Sequence, residues 1–554
     1  MLLRRTLTPL AILLVVAANP AWGALPNDLP PLFGKVLADF VQTSAAGDRF
    51  RPLPPVRFTK GSAKDGILVR VNPKAPRQTL EGLGGALTES SAYVLAQLGR
   101  TRREALLDHC FGPRGARFTM TRTPIGACDF SVTGRFSYDD VAGDVALRHF
   151  SIAPDRRGFP GAKDPAYALL PLIQDALTRE PRLKVVASPW TAPAWMKDNQ
   201  DWYGQGVGGT LLPQHQDTFA RYMATYLKAY RAEGVPVWAI TPINEPLGNN
   251  GQWESMEFTD TGLCTYVRDH LGPVLARQGL GHVKVLQFDH NRDTQALRFA
   301  STLLGDPATA RYLWGTGVHW YSSTISARTE ILDELHWRFP AKVLLHTEGC
   351  IDGIGTAENA PGGVFAGWQN DAWWWTASAT DWGFHWAPPE EKADHPRYAP
   401  VHRYARDLIQ GLNHWLVGWI DWNLVLDRQG GPNHANNFCA APLMVDTFTE
   451  EVHVTPLYYV LAHFSRYLQP GDRVAQVTTV TPGLGADDFH ATAALSQDGK
   501  HLVVIAFNKT SRALPYRIQV GHHQAALSIP ASALQTEVFT VERPKPLQTL
   551  LLRR

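Results

Sequence analysis

The chain has 554 residues, a net charge of +2, 44% hydrophobic residues and 19% charged ones. That length allows two domains, or one large domain with an appendage. The balanced charge, with no basic cluster interleaved with aromatics, argues against a nucleic-acid partner. Eighteen tryptophans and 23 phenylalanines are a heavy aromatic load, most of it destined for core, though sugar sites also use flat rings.

Residues 1–23 read as an export signal: Arg4 and Arg5 form a basic start, "LAILLVVAA" an apolar centre, and Ala21-Trp22-Gly23 a small-residue cleavage site. The apolar run is too short to span a bilayer. The expectation is an exported protein, periplasmic or extracellular, without stable membrane insertion. Residues 24–77 form an N-terminal extension in which "VRFTK" and "GILVRVN" read as strands.

Residues 78–468 carry eight short apolar runs: Leu80–Thr88, Arg117–Ile125, Leu183–Ser188, Val235–Thr241, Val283–Asp289, Gly317–Tyr321, Lys342–Thr347 and Leu416–Asn423. Runs of this length suit strands buried on both faces. Between the third and fourth, Phe219, Tyr222, Met223, Tyr226, Leu227 and Tyr230 follow helical spacing, and Gly234 stands where a helix would stop. Strands alternating with helices eight times over predict an α/β fold, a (β/α)₈ TIM barrel. From residue 469 to 554 the pattern changes to short alternating runs, with Asp498-Gly499 as a hairpin signal. These strands and those near the N-terminus predict a β-sandwich side domain built from both chain ends.

Other motifs are uninformative. Gly204–Gly209 fits GxGxxG but follows a loop, not a strand, and is rejected as a dinucleotide fingerprint. The five cysteines are scattered and odd in number, so buried free thiols are the expectation. No CxxC or HExxH spacing occurs, and neither metal nor cofactor is implied.

In a TIM barrel, catalytic groups lie at the C-terminal ends of the strands. The run ends here carry Glu89, Arg122 with Asp129 beyond it, Trp190, Asn244-Glu245, Asp289-His290, His319-Trp320-Tyr321, Glu348 and Trp422. Any one of these is more often a cap or loop residue than a catalyst. Glu348 follows Glu245 by 103 residues, about three βα units of roughly 31 residues each. Both would then face the axis from one rim, as glycosidic bond cleavage by paired carboxylates requires. Pro242 lies just before Glu245, and proline cannot donate to a ladder, so the fourth strand should loosen there.

The motifs "GLGGALTES", "TRTPIGACDFS", "ASPWTAPAWMK", "INEP", "VHWY", "HTEGC", "GWIDWNLVLDRQGGPNHANNF" and "LYYVLAHFSRYLQPGDRV" together resemble glycoside hydrolase family 30 of clan A, in its glucosylceramidase-like branch. The resemblance implies a retaining β-glycosidase with Glu245 as acid/base and Glu348 as nucleophile. It further implies that Asn244 binds the sugar 2-hydroxyl, Tyr321 hydrogen-bonds the nucleophile, and Arg122 keeps it ionised. His319 belongs to the same substrate site, and Trp190, Trp422 and Asn437 line the glycone pocket. Core packing for the tryptophans and a structural salt bridge for Arg122 are the alternatives.

Two positions depart from the family pattern. Glu89 stands where glucosylceramidases carry Asp, a position assigned to the sugar's outer hydroxyls, and His434 replaces a pocket-mouth tryptophan of the lysosomal enzymes. The expected partner is a carbohydrate or glycolipid substrate, with oligomeric state left open. A β-1,6-glucanase, β-xylosidase or β-fucosidase is the rival within the same chemistry, and a non-catalytic carbohydrate-binding protein the rival outside it.

Overall fold

The computed structural model describes residues 40–61, 66–204, 209–249, 251–351, 369–380 and 387–540. The export signal expected at residues 1–23 lies outside them, as does part of the rejected glycine motif. Eight parallel strands close into a barrel: β1 (Gly82–Gly85), β2 (Met120–Ile125), β3 (Lys184–Pro189), β4 (Val237–Ile240), β5 (Lys284–Asn291), β6 (Gly315–His319), β7 (Val343–Glu348) and β8 (Leu416–Asp421). Each falls within or across one of the eight apolar runs. The helix Gln216–Ala232 between β3 and β4 buries the whole expected stripe from Phe219 to Tyr230, and Gly234 takes the left-handed turn (φ 77°) that ends it. The approach of β1 to β2 requires glycine: a Cβ on Gly84 would sit 1.8 Å from the Met120 carbonyl oxygen.

The barrel interior is layered. Met120, Val186, Ala239, Leu286, Leu345, Val417 and Ile420 fill its lower part as one apolar cluster. Side chains alternate faces along a strand, so the next inward position on four strands lies two residues on. These positions hold Arg122, Ser188, Thr241 and Thr347, all fully buried. The interior therefore changes from oil to a hydrogen-bonded polar layer within one step of each strand. On β5 the same count would turn Phe288 inward. Instead Phe288 (φ 72°) and Asp289 (φ 59°) take left-handed conformations, and the β5–β6 register skips a residue there. This bulge sends Phe288 out to pack on Phe299 and delivers Asp289 to the polar layer.

The β4 ladder ends at Ile240, two residues before Pro242, so the loosening expected there is complete. The chain to Glu245 is carried by single contacts, such as Asn244 N–H donating to the Pro189 carbonyl at 2.7 Å.

A ten-stranded sheet forms the side domain. Strands Phe40–Ser44, Arg51–Pro52, Thr59–Lys60 and Ile67–Thr79 come from before the barrel, and six strands between Arg473 and Thr540 from after it. Phe40–Ser44 pairs antiparallel with Ala533–Thr540, and Ile67–Thr79 with Arg473–Val480. The domain has its own apolar cluster, including Val69, Val504, Tyr516, Ile518 and Ile529. His463, on the helix Pro456–Ser465, ties barrel to sheet through Thr536 Oγ1 (2.7 Å) and Thr43 Oγ1 (2.9 Å). A small sheet after β8 (Val425–Asp427, Leu443–Asp446, Glu451–Val454) was not expected from the sequence. Among the described residues, no helix is long and apolar enough to cross a membrane.

Candidate active site

At the C-terminal mouth of the barrel lies a cleft. Asp129, Trp190, Asn244, Glu245, Trp253, Tyr321, Glu348, Cys350, Trp422 and Asn437 line it. Seven of the expected site residues are thus brought together on its wall: Trp190, Asn244, Glu245, Tyr321, Glu348, Trp422 and Asn437.

Arg122 and His319 lie one layer deeper, both with no exposed surface. Arg122 is the hub of this layer. Its Nη1 donates to Glu348 Oε2 at 2.5 Å, and its Nη2 to Asn244 Oδ1 at 2.6 Å and Asp289 Oδ2 at 2.8 Å. Trp190 covers the guanidinium at 4.8 Å and stacks on Trp422, with ring centroids 5.2 Å apart. A cation removed from water needs such partners, and here the polar layer supplies all of them.

Asp289 also accepts from the hydroxyls of Ser188, Thr241 and Thr347. Burial alone would raise its carboxyl, but Arg122, His319 and Thr347 hold it far below the usual carboxylate range. His319 stands between Asp289, 3.1 Å from Nε2, and Glu245, 3.1 Å from Nδ1. Burial would depress this ring, yet the surrounding Glu348, Asp289 and Glu245 push it up to about 9. It is then an imidazolium donating from both nitrogens.

Glu245 is presented on strained backbone, with φ 48°, and its N–H donates to the Asp289 carbonyl at 3.0 Å. Glu348 accepts from Tyr321 Oη at 3.0 Å as well as from Arg122. Burial and the Glu245 and Asp289 charges push the Glu348 carboxyl up, with His319 and Arg122 pulling against them. Burial raises Glu245 too, but His290 and His319 outweigh it and leave that carboxyl lowered. These opposed tendencies belong to two carboxyls competing for one proton. Donor geometry favours Glu348 as the anion, because it receives two short hydrogen bonds and Glu245 receives one.

Glu89 is a departure. It does not reach the cleft. As the first residue of the helix Glu89–Ala96, it turns to the following loop, accepting from Val132 N–H (2.7 Å), Thr133 N–H (3.2 Å) and Thr133 Oγ1 (2.7 Å). The acid that does reach the wall from this side is Asp129. Its Oδ2 accepts from Asn437 Nδ2 at 2.9 Å, while its buried Oδ1 has no protein partner. Burial, helped by the Glu348 and Glu254 charges, pushes Asp129 up to about 7. Asp129 was visible in the sequence beyond Arg122, whereas Trp253 and Cys350 carried no signal beyond closeness to Glu245 and Glu348. His434 sits beside this wall with Nδ1 2.9 Å from the Ser131 carbonyl and Nε2 3.0 Å from the buried Glu254.

Sequence comparison agrees with this architecture. The glycosyl hydrolase family 30 TIM-barrel domain matches residues 80–366 and 381–468, and the family 30 beta sandwich domain matches residues 473–537. The mouse lysosomal acid glucosylceramidase is 30% identical over 459 residues, covering 82% of this chain and 79% of that protein. An endo-1,6-beta-D-glucanase of Neurospora crassa is 28% identical over 442 residues, covering 78% and 79%. The crystal structure of SrfJ from Salmonella typhimurium superposes with a TM-score of 0.76 at 26% identity, covering 91% of this chain and all of that one. With both of its domains matched in order along the chain, this protein belongs to glycoside hydrolase family 30.

Proposed function

We propose that the protein is an exported retaining β-glycosidase that hydrolyses β-glucosides by double displacement, with Glu245 as acid/base and Glu348 as nucleophile. The observation that carries this reading is the convergence of both carboxylates on one nitrogen. His319 Nδ1 lies 3.1 Å from Glu245 Oε1 and 3.8 Å from Glu348 Oε1. The two oxygens can be separated by no more than the sum of those distances. Retaining enzymes hold their carboxyls about 5–5.5 Å apart, and inverting enzymes roughly 6.5–9.5 Å, to leave room for a water. That upper limit on one oxygen pair is compatible with the retaining spacing and overlaps the lower edge of the inverting one.

In the first step Glu348 attacks the anomeric carbon as the glycosidic C–O bond breaks and Glu245 gives its proton to the leaving oxygen. In the second, Glu245 takes a proton from water, which displaces Glu348 and restores both groups. Arg122 and Tyr321 stabilise the carboxylate of Glu348 before attack and after release. Because Arg122 occupies Asn244 Oδ1, the group that Asn244 offers the cleft is its Nδ2 amide, a donor suited to the sugar 2-hydroxyl. Trp190 and Trp422 provide the flat apolar wall. The intact pair of carboxyls weighs against a protein that only binds carbohydrate, which needs no acid opposite a nucleophile.

A glucosylceramide-like substrate is favoured by the mouse relative, and a β-1,6-glucan by the Neurospora one. The export reading rests on the leader pattern of residues 1–23. A 2-deoxy-2-fluoro β-glucoside should trap a covalent adduct that peptide mapping places on Glu348. An adduct elsewhere, or inverted product stereochemistry by NMR, overturns the assignment. Hydrolysis of aryl β-glycosides, glucosylceramide and β-1,6-glucan in parallel distinguishes the substrates.

A further inference from the structure

Three nitrogen and oxygen ligand atoms, from three different strand ends, meet at the acid/base. Glu245 Oε1 lies 3.1 Å from His319 Nδ1 and 3.5 Å from His290 Nδ1, and the three residues each offer a ligand atom within 4.8 Å of the other two. A tetrahedral zinc ion with bonds of about 2.0–2.1 Å holds its donors about 3.3 Å apart. Both measured edges from Glu245 match that spacing. His290 Nδ1 is buried and makes no hydrogen bond, although it lies 3.5 Å from Glu245 Oε1.

The second layer is also in place. Asp289 Oδ1 sits 3.1 Å from the far nitrogen of His319, the carboxylate–histidine arrangement that orients an imidazole toward a metal. Glu245 lines the cleft, the route by which water would supply a fourth ligand. Two imidazoles and one carboxylate suit a borderline ion such as Zn²⁺, not Mg²⁺ or Ca²⁺, which require oxygen ligands.

We propose that Glu245, His290 and His319 form a binding site for Zn²⁺ that occupies the acid/base carboxylate and switches the enzyme off. Zn²⁺ takes the place of the proton between His319 and Glu245, and that proton passes to solvent. While the metal is bound, Glu245 has no proton to give to a leaving group. The inhibition, though not the binding, rests on the reading of Glu245 as acid/base.

The test uses the full-length enzyme after chelator treatment. ZnCl₂ is titrated by calorimetry, and CoCl₂ by visible absorption, where a tetrahedral ion gives an intense d–d band. Hydrolysis of an aryl β-glucoside is followed in the same buffers. The expected result is one Zn²⁺ per chain, the cobalt band, and inhibition reversed by EDTA. His290→Asn should weaken Zn²⁺ binding at least about tenfold. Glu245→Gln, a near-isosteric change read by calorimetry alone, should weaken it similarly. No binding by the wild-type protein, or unchanged affinity in both variants, overturns the site. Binding that depends on His290 without inhibition supports the site and overturns Glu245 as acid/base instead.

Discussion

Replacing Tyr321 with Phe removes a hydrogen bond to Glu348. The Tyr321 hydroxyl donates to Glu348 Oε1 at 3.0 Å, and the ring meets His319 edge-on with centroids 6.1 Å apart. Tyr321→Phe keeps the ring contact and removes the hydroxyl, which also lies 3.4 Å from Cys350 Sγ. A hydrogen bond to a charged group contributes about 1.5–3 kcal/mol, and one pKa unit corresponds to about 1.36 kcal/mol. Losing the bond from the ionised form should therefore raise the Glu348 pKa by roughly 1–2 units. As the proposed nucleophile, Glu348 must be ionised in the free enzyme, so its titration sets the acid limb of kcat/KM. A raised pKa moves that limb to higher pH, and activity is lost first on the acid side. The assay is a pH profile of aryl β-glucoside hydrolysis for wild type and Tyr321→Phe, with circular dichroism as a folding control. An unmoved acid limb, or a shift confined to the alkaline limb, would refute the claim that Tyr321 stabilises the ionised form of Glu348.

Asp289→Asn removes the anion between two buried cations, Arg122 and His319, and should cost about 3–5 kcal/mol of stability, measured by urea denaturation. Asp129→Asn should change the ratio of kcat/KM between gluco- and galacto-configured aryl glycosides and remove a step in KM near pH 7, where burial places Asp129. Glu89→Asp should leave that ratio unchanged, since among the described residues Glu89 hydrogen-bonds the Val132–Thr133 loop and not the cleft. Burial pulls the His463 ring down to about 3, below the unfolded value of about 6.5. The unfolded chain therefore binds the extra proton first, and stability falls as pH drops from about 6.5 toward 3, by up to about 1.4 kcal/mol per pH unit for this ring. His463→Leu should flatten that part of the urea-midpoint profile while lowering stability overall, because Thr43 and Thr536 lose their partner.

The barrel was legible because strands buried on both faces leave unbroken apolar runs, and the helix after β3 because its buried stripe repeats at helical spacing. Burial without apolarity left no such trace. Phe40–Ser44 is buried along its whole length, but Gln42, Thr43 and Ser44 make up most of it, so no run appears. At the rim, residue type and strand position located Glu245, Glu348 and their neighbours. Direction was harder: Glu89 stands at the right strand end, yet as a helix's first residue it points to a backbone loop. Asp289 enters the polar layer only through a bulge, and a local shift of phase has no signature in composition. His290 and His319 lie on neighbouring strands, so their approach to Glu245 could not appear as a spacing motif.

The side-domain sheet has a further bearing on how the molecule is made. Its strand Phe40–Ser44 lies among the first described residues, and its hydrogen-bonding partner Ala533–Thr540 among the last. The sheet cannot close until Ala533–Thr540 has been synthesised, and contacts this distant in sequence are slow to form. Apart from the closing β8–β1 pair, the barrel strands pair with their neighbours in sequence, and they can assemble while the edge of Phe40–Ser44 that faces Ala533–Thr540 is still unpaired. A chain that stops before Ala533 would keep its barrel residues and yet expose that edge to other chains.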